Sequence, residues 1–257
     1  MTPAFVGGVH RSGTSLFARC LVAHPQVGGF AATGVWEDEG QHLQDALLPA
    51  RVLGGPGRFA HHPAAHLLPV GPTAAGRLRA RLLRCWQPLW PTNTPWVVSK
   101  SPPDLLRGRL LQQLFPEAPL FVVRRHPIAV ALATRRMGRA YRRRPLAELV
   151  DHWVHAHDLF EEDRPHLDRV LVVDHHRLIR APGPILTAAF GLLGLESVPP
   201  PEPLRDTDAR YRRAWAWAMR GPGGRRRRAQ LAPWAERVAA HGYDLLGFAD
   251  GGRGPGG

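Results

Sequence analysis

The segment Phe5-Val6-Gly7-Gly8-Val9-His10-Arg11-Ser12-Gly13-Thr14-Ser15-Leu16 reads as a strand, a tight glycine turn and the start of a helix. Gly8 and Gly13 stand at the G-x4-G spacing of a phosphate-binding loop, which turns backbone N–H groups inward. The helix predicted from residue 14 to about 23 offers the positive end of its dipole to the same anion. A loop serving ATP or GTP continues with a lysine for the β/γ-phosphates and a Ser/Thr for Mg²⁺. Here Thr14 takes the lysine position, and the cation sits earlier, at Arg11. The loop suits an anion carried without magnesium.

Strands are predicted at 3–8, 96–100, 118–123 and 170–173, and helices at 14–23, 73–89, 103–115, 127–137, 146–163 and 184–193. The run 118–123 is apolar throughout, as in strands buried on both faces of a parallel sheet. Leu78, Leu82, Leu83 and Trp86 share one face of their helix. Residues 27–50 read as irregular, holding the acidic cluster Glu37-Asp38-Glu39-Gly40-Gln41-His42 with a helix beginning near Gly40. The Gly-, Pro- and His-rich stretch 51–72 reads as a surface loop, and beyond residue 199 Arg/Trp-rich helical segments surround a glycine-arginine run at 221–228. Strands alternating with helices define a three-layer α/β/α fold of the P-loop type with a mainly parallel central sheet. At 257 residues and 44% hydrophobic content the chain fits a single domain, 1–248, followed by a disordered tail, 249–257.

A net charge of +13 is compatible with nucleic acid, a membrane surface, an acidic ligand or plain arginine bias. No nucleic-acid-binding motif accompanies it, so a nucleic-acid partner is not expected. Nor is a membrane span, since no apolar run approaches the roughly 20 residues required. The first strand runs straight into the loop, so no leader is expected and the chain is placed in the cytoplasm. Cys20 and Cys85 have no metal spacing and read as free thiols, while His152, His155 and His157 spread around a helix. No metal ligands are assigned. One departure from the arginine bias stands out: the chain's single lysine, Lys100, ends a predicted buried strand, where a compact ammonium is favoured over a forked guanidinium.

A second anion-binding element follows. Arg124 and Arg125 end the strand 118–123, at the carboxyl edge where open α/β sheets bind ligands, and Thr134, Arg135 and Arg136 follow on the next helix. Taken in order, Arg11-Ser12-Gly13-Thr14-Ser15, Ala23-His24-Pro25, Lys100-Ser101-Pro102 and the run from Phe115-Pro116 to Arg125-His126-Pro127 resemble the sulfotransferases that use 3′-phosphoadenylyl sulfate (PAPS). The stretch 170–178, Pro182 and Gly191-Leu192-Leu193-Gly194-Leu195 extend the resemblance, which covers about residues 4–195. It is nearest the bacterial branch related to tyrosylprotein and carbohydrate enzymes.

The resemblance implies a metal-independent, in-line transfer of a sulfuryl group from PAPS to an acceptor hydroxyl on a small molecule, carbohydrate or peptide. Gly8, Arg11, Ser12, Gly13, Thr14 and Ser15 would cradle the 5′-phosphosulfate. Arg11 and Lys100 would stabilise the charge that develops as the anhydride breaks, and Arg125 would hold the 3′-phosphate. The family's serine eight residues after that arginine is Ala133 here, and Thr134 is taken as its substitute. The family's Tyr-Glu pair is replaced by Asp174-His175-His176. Among Glu37, Glu39 and His42, Glu39 is assigned as the base that deprotonates the acceptor; acidic residues complementing a helix dipole are the plain reading of the same cluster. Three other readings stay open. Val170-Leu171-Val172-Val173-Asp174 resembles the aspartate-ended strand of a P-loop kinase or NTPase, the charge could serve nucleic acid, and Ala133 could mark a sulfotransferase-like protein with impaired activity.

Overall fold

Leu120-Phe121-Val122-Val123 has no polar residue, and such a strand is stable only when both faces are covered. In the computed structural model, which describes residues 1–91 and 93–250, this strand is buried throughout its length. Among the described residues five strands form one sheet: β1 (Thr2–Gly7), β2 (Val27–Gly29), β3 (Trp96–Lys100), β4 (Leu120–Arg124) and β5 (Val170–Asp174). They lie in the order β2-β3-β1-β4-β5, and every neighbouring pair is parallel.

Parallel neighbours need crossover connections, which the helices supply. In chain order these are α1 (Thr14–Val22), α2 (Pro72–Trp86), α3 (Gly108–Leu114), α4 (Pro127–Arg135), α5 (Arg139–Arg142), α6 (Leu146–Asp163), α7 (His175–Arg180), α8 (Pro182–Leu192), α9 (Ala209–Ala218), α10 (Gly221–Leu231) and α11 (Ala235–Ala240). Successive strand residues point to opposite faces. Phe5 and Val122 enter one core with Trp86, Leu110, Trp153 and Phe160. Ala4, Val6, Phe121 and Val123 enter the other with Phe17, Leu21 and Phe190. The α/β/α layering expected from the sequence is present, and β1 lies between β3 and β4, so the loop after β1 opens at the sheet's switch point.

Several local expectations are corrected. The strand Val27–Gly29 lies inside the stretch expected to be irregular; its pairing with β3, rather than any sequence run, defines it. No α-helix starts at Gly40, because two short 3-10 turns, Trp36–Asp38 and Gly40–His42, carry the acidic cluster. The segment 51–72 is not a plain surface loop: Leu53, Phe59 and Ala65 are buried, and the Ala60 N–H donates to His152 Nε2 at 3.3 Å. The helix expected over 103–115 breaks into a 3-10 turn, Pro102–Leu106, and α3. The glycine-arginine run proves helical, as α10. Cys20 and Cys85 are free, and His152 and His157 are buried packing residues. No described helix is long and apolar enough to cross a membrane. The expected tail, 249–257, lies outside the described residues except for Ala249 and Asp250, which end a 3-10 turn.

Candidate active site at the carboxyl edge of the sheet

The loop between β1 and α1 turns through a left-handed residue at Arg11 (φ 71°) and a second at Gly13 (φ 104°), the residue that starts α1. Gly13 has no room for a side chain as well as the wrong φ for one: a Cβ there would lie 2.5 Å from Cδ2 of His175. The Ser12 amide and hydroxyl both donate to the Val9 carbonyl, at 3.1 and 2.7 Å, and the Gly8 amide donates to Pro102 at 3.2 Å. Those groups hold the turn together. The amides of the first turn of α1, by contrast, have no intrahelical acceptor.

Beside the loop, Lys100 ends β3 and is buried, with Nζ 3.0 Å from Glu39 Oε1 and 3.1 Å from Glu37 Oε2. Glu39 reaches it because the following residues are pinned to β3. The Gln41 amide donates to Ser101 Oγ at 2.9 Å, Trp86 Nε1 donates to the Gly40 carbonyl at 3.1 Å, and a Cβ on Gly40 would sit 2.2 Å from Ser99 Oγ. Glu39 also accepts from Gln41 Nε2. Glu37 (φ 49°) and Asp38 (φ 48°) occupy the left-handed region, strain of about 1–3 kcal/mol per residue, partly offset where Thr33 donates twice to Asp38, at 2.8 and 2.5 Å. This conformation carries the Glu37 carboxylate to Ser15, whose hydroxyl donates to it at 2.5 Å. Desolvation pushes the Glu37 carboxyl up, but the Ser15 hydrogen bond and the charges of Lys100 and Arg11 outweigh it and hold it below the usual range.

Arg125, just beyond β4, is buried, and each of its three nitrogens donates to a protein acceptor. Its Nε donates to Asp208 Oδ1 at 3.0 Å, Nη2 donates to the same oxygen and to Thr207 Oγ1 at 3.3 Å, and Nη1 donates to the Arg11 carbonyl at 2.7 Å. His175 Nδ1 lies 3.8 Å from Asp208 Oδ2, and burial followed by the Arg125 charge pushes that imidazole down to about 4. Asp174 caps α7 through the Arg177 amide at 2.7 Å and accepts from Tyr243 at 2.7 Å, so the aspartate ending β5 is built into the α7 junction.

These elements enclose a cavity of about 170 Å³ lined by His10, Arg11, Gly13, Thr14, Ser15, Trp36, Glu37, Glu39, Pro102, Arg125 and Met137. A neighbouring cavity of about 500 Å³ shares His10, Trp36, Glu39 and Met137 with it and adds Gln41, His42, Arg51 and Tyr141. A third, of about 670 Å³, shares Ser15 and Glu37 and is bounded by Lys100 and the apolar flank of α1. Of the residues singled out in the sequence, Arg11, Gly13, Thr14, Ser15, Glu39 and Arg125 meet around the first cavity, with Lys100 joined through the two glutamates. Gly8 and Ser12 shape the turn from behind. Thr134 does not line the cavity; it is buried on α4, with its methyl near Gly57, as is Ala133.

Two residues of the site, His10 and Asp208, carry no sequence signal of their own. His10 lines both of the first two cavities with an enclosed Nδ1 that has no hydrogen-bond partner, and desolvation together with Lys100 pushes its pKa down to about 3. His175 and Asp208 arrive from distant parts of the chain.

A strand-loop-helix turn, a lysine ending the adjacent strand and an arginine just beyond the next meet at the carboxyl edge of a parallel α/β sheet. The chain belongs to the sulfotransferase family, whose profile matches residues 3–200. No curated protein matches it in sequence. Solved structures similar to it include a sulfotransferase from Alicyclobacillus acidocaldarius, at 15% identity over 94% of this chain and 96% of that one, TM-score 0.47. The sulfotransferase domain of a Synechococcus olefin synthase matches at 18% identity over 80% and 82%, TM-score 0.47. A Mycobacterium tuberculosis sulfotransferase matches at 19% identity over 76% and 67%, TM-score 0.45.

Proposed function

We propose that the chain transfers the sulfuryl group of PAPS in line to an acceptor hydroxyl, without a metal. PAPS supplies the sulfate–phosphate anhydride whose cleavage drives transfer. The cradle fits a group of that charge, because one of the protein's own carboxylates, Glu37, already accepts from Ser15 at 2.5 Å and from Lys100 at 3.1 Å. The first-turn amides of α1 and the hydroxyl of Ser15 bind the 5′-phosphosulfate, and Arg11 and Lys100 offset charge growing on its oxygens. A preorganised donor of this kind is worth about 3–4 kcal/mol in the transition state. Arg125 receives the 3′-phosphate.

The observation that carries the reading is the position of Glu39 on the wall common to the loop cavity and its 500 Å³ neighbour. A carboxylate there, held by Lys100 at 3.0 Å, can take a proton from a hydroxyl entering from the larger cavity while the cradle holds the sulfuryl group. The larger cavity is the acceptor side. The test is a labelled-PAPS transfer screen over alcohol, sugar, phenol and peptide acceptors, run alongside thermal melting with adenosine 3′,5′-bisphosphate. Transfer to one acceptor class, with a raised melting temperature, is expected. Micromolar binding of Mg·ATP, with none of the bisphosphate, would overturn the reading in favour of a kinase or NTPase.

A further inference from the structure

Resting on the reading that Arg125 receives a phosphate of the donor, we infer that Asp208 determines the protein's selectivity for a donor with a second phosphate. Its carboxylate holds the place of that phosphate on Arg125 and must yield it. The Asp208 side chain is as deeply buried as that of Arg125, at 7% and 8% exposure, and a single oxygen, Oδ1, accepts from both Nε and Nη2. Nη1 is taken by the Arg11 carbonyl at 2.7 Å. The Nε–Nη2 edge, the one a phosphate would engage with two parallel bonds, is already held by Asp208. A phosphate brought to Nε and Nη2 would stand against a carboxylate in a weakly screened site, and two like charges there are strongly unfavourable. Phosphate and Asp208 therefore exclude one another, and the affinity gained from the phosphate is what remains after Asp208 has been displaced.

The fold supplies a place for the displaced side chain. Asp208 directly precedes α9, yet its carboxylate is turned to Arg125 and gives that helix no side-chain cap. Aspartate is among the best residues at a helix start, where it accepts from first-turn amides and meets the positive end of the dipole. The Arg212 amide already donates to the Asp208 carbonyl at 2.8 Å. Asp208 itself is helical (φ −77°, ψ −22°) and its amide donates to Asp206 Oδ1 at 2.9 Å, so capping requires Asp208 to rotate towards the extended region as its side chain turns. Glu37 plays the same part at the other end of the cradle, on Ser15 and Lys100, where it opposes the 5′-group that every donor nucleotide has.

The two carboxylates give opposite signatures in a titration of the purified chain with adenosine 3′,5′-bisphosphate and adenosine 5′-monophosphate. Asp208→Asn is expected to tighten the bisphosphate by about tenfold or more and leave the monophosphate within about twofold, whereas Glu37→Gln tightens both. Should Asp208→Asn be too unstable to titrate, amide exchange in the unsubstituted protein decides: the bisphosphate slows exchange at 209–211 as Asp208 caps α9, and the monophosphate leaves it unchanged. An Asp208→Asn ratio equal to that of the unsubstituted protein, a loss of bisphosphate affinity, or exchange at 209–211 indifferent to the bisphosphate each overturns the role of Asp208 alone. If neither nucleotide binds the unsubstituted chain, the donor reading itself falls, and this inference with it.

Discussion

Arg125 donates from Nη1 to the carbonyl of Arg11 across 2.7 Å, and that carbonyl belongs to the strained residue (φ 71°) on which the anion loop turns. One guanidinium thus fixes the loop and, through Asp208, the start of α9. Its planar fork engages acceptors in three directions, which a lysine ammonium on a flexible stem does not match. Arg125→Lys is therefore expected to keep the charge beside Asp208, lower the melting temperature by a few degrees and weaken adenosine 3′,5′-bisphosphate by about ten- to a hundredfold, the worth of one or two charged hydrogen bonds. Arg125→Ala strands Asp208 as a buried charge, costing about 3–5 kcal/mol, and should abolish the ligand-induced melting shift. A shift that survives in Arg125→Ala would remove this residue from the donor site.

Glu39→Gln tests the base. The amide keeps the shape of the side chain and can still accept from Lys100, but it takes no proton. Binding of adenosine 3′,5′-bisphosphate should stay within about twofold, while turnover falls by about 10²–10⁴, the usual span for general-base catalysis. Full turnover in Glu39→Gln would transfer the role to Glu37, His10 or His42.

Lys100 bears on both glutamates at once, at 3.0 and 3.1 Å. Lys100→Ala leaves two carboxylates facing each other beside the cradle, so donor binding and turnover should both drop, with kcat falling by about 10²–10³ for the lost transition-state donor. Lys100→Arg is expected to rescue poorly, because the site is closed around a compact ammonium that is 5% exposed. Measuring kcat and KM separately for the two variants decides; arginine restoring full kcat would show that charge alone suffices.

How legible each part was follows from how local its cause is. The cradle 8–15 could be read because its chemistry lies in eight consecutive residues, and Lys100 because it interrupts an otherwise uniform use of arginine. β4 could be read because a doubly covered strand must be apolar. By contrast, β2 has two glycines in three residues and exists only through its register with β3. The burial of Phe59 is decided by α6, whose His152 ring meets it at 4.9 Å, over a segment whose composition reads as surface. Asp208 and His175 reach Arg125 and Gly13 across more than eighty residues of sequence, and no periodicity announces a tertiary ion pair. Thr134 was placed by offset from Arg125 alone, and a shift of one helical position turns a side chain by about 100°, here into the core.

Gly40 offers a check on how Glu39 is positioned. Its missing side chain lets the acidic turn lie against β3, where a Cβ would be 2.2 Å from Ser99 Oγ. Gly40→Ala should cost about 1–3 kcal/mol of stability by overpacking and lower kcat through a misplaced Glu39, while Ser99→Ala in the same chain should restore part of both. Absence of any rescue by the second substitution would mean that this contact is not what holds the turn.

Acid sensitivity should be set by imidazoles kept neutral in the folded chain. His126 is the clearest: Nδ1 accepts from the Ile128 amide at 3.2 Å, capping α4, and Nε2 lies 2.9 Å from the Asp244 carbonyl, to which it must donate. A second proton would break the cap, and burial pushes the pKa down to about 4. Because the folded value lies below the unfolded value of about 6.5, the stabilisation is complete above that pH and is lost as pH falls towards 4, at up to ~1.4 kcal/mol per pH unit. His175 and His10, at about 4 and about 3, act in the same sense. Asp104 acts in the opposite sense, since burial raises its carboxyl to about 7 and its contribution is lost as pH rises from about 4 to 7. His126→Asn retains a side-chain cap and removes the titration, so denaturant melts at pH 6 and pH 5 should differ by about 1 kcal/mol less than in the unsubstituted protein. Equal pH dependence in the two proteins would mean that His126 is already protonated in the fold, and its hydrogen bonds would then have to be reassigned.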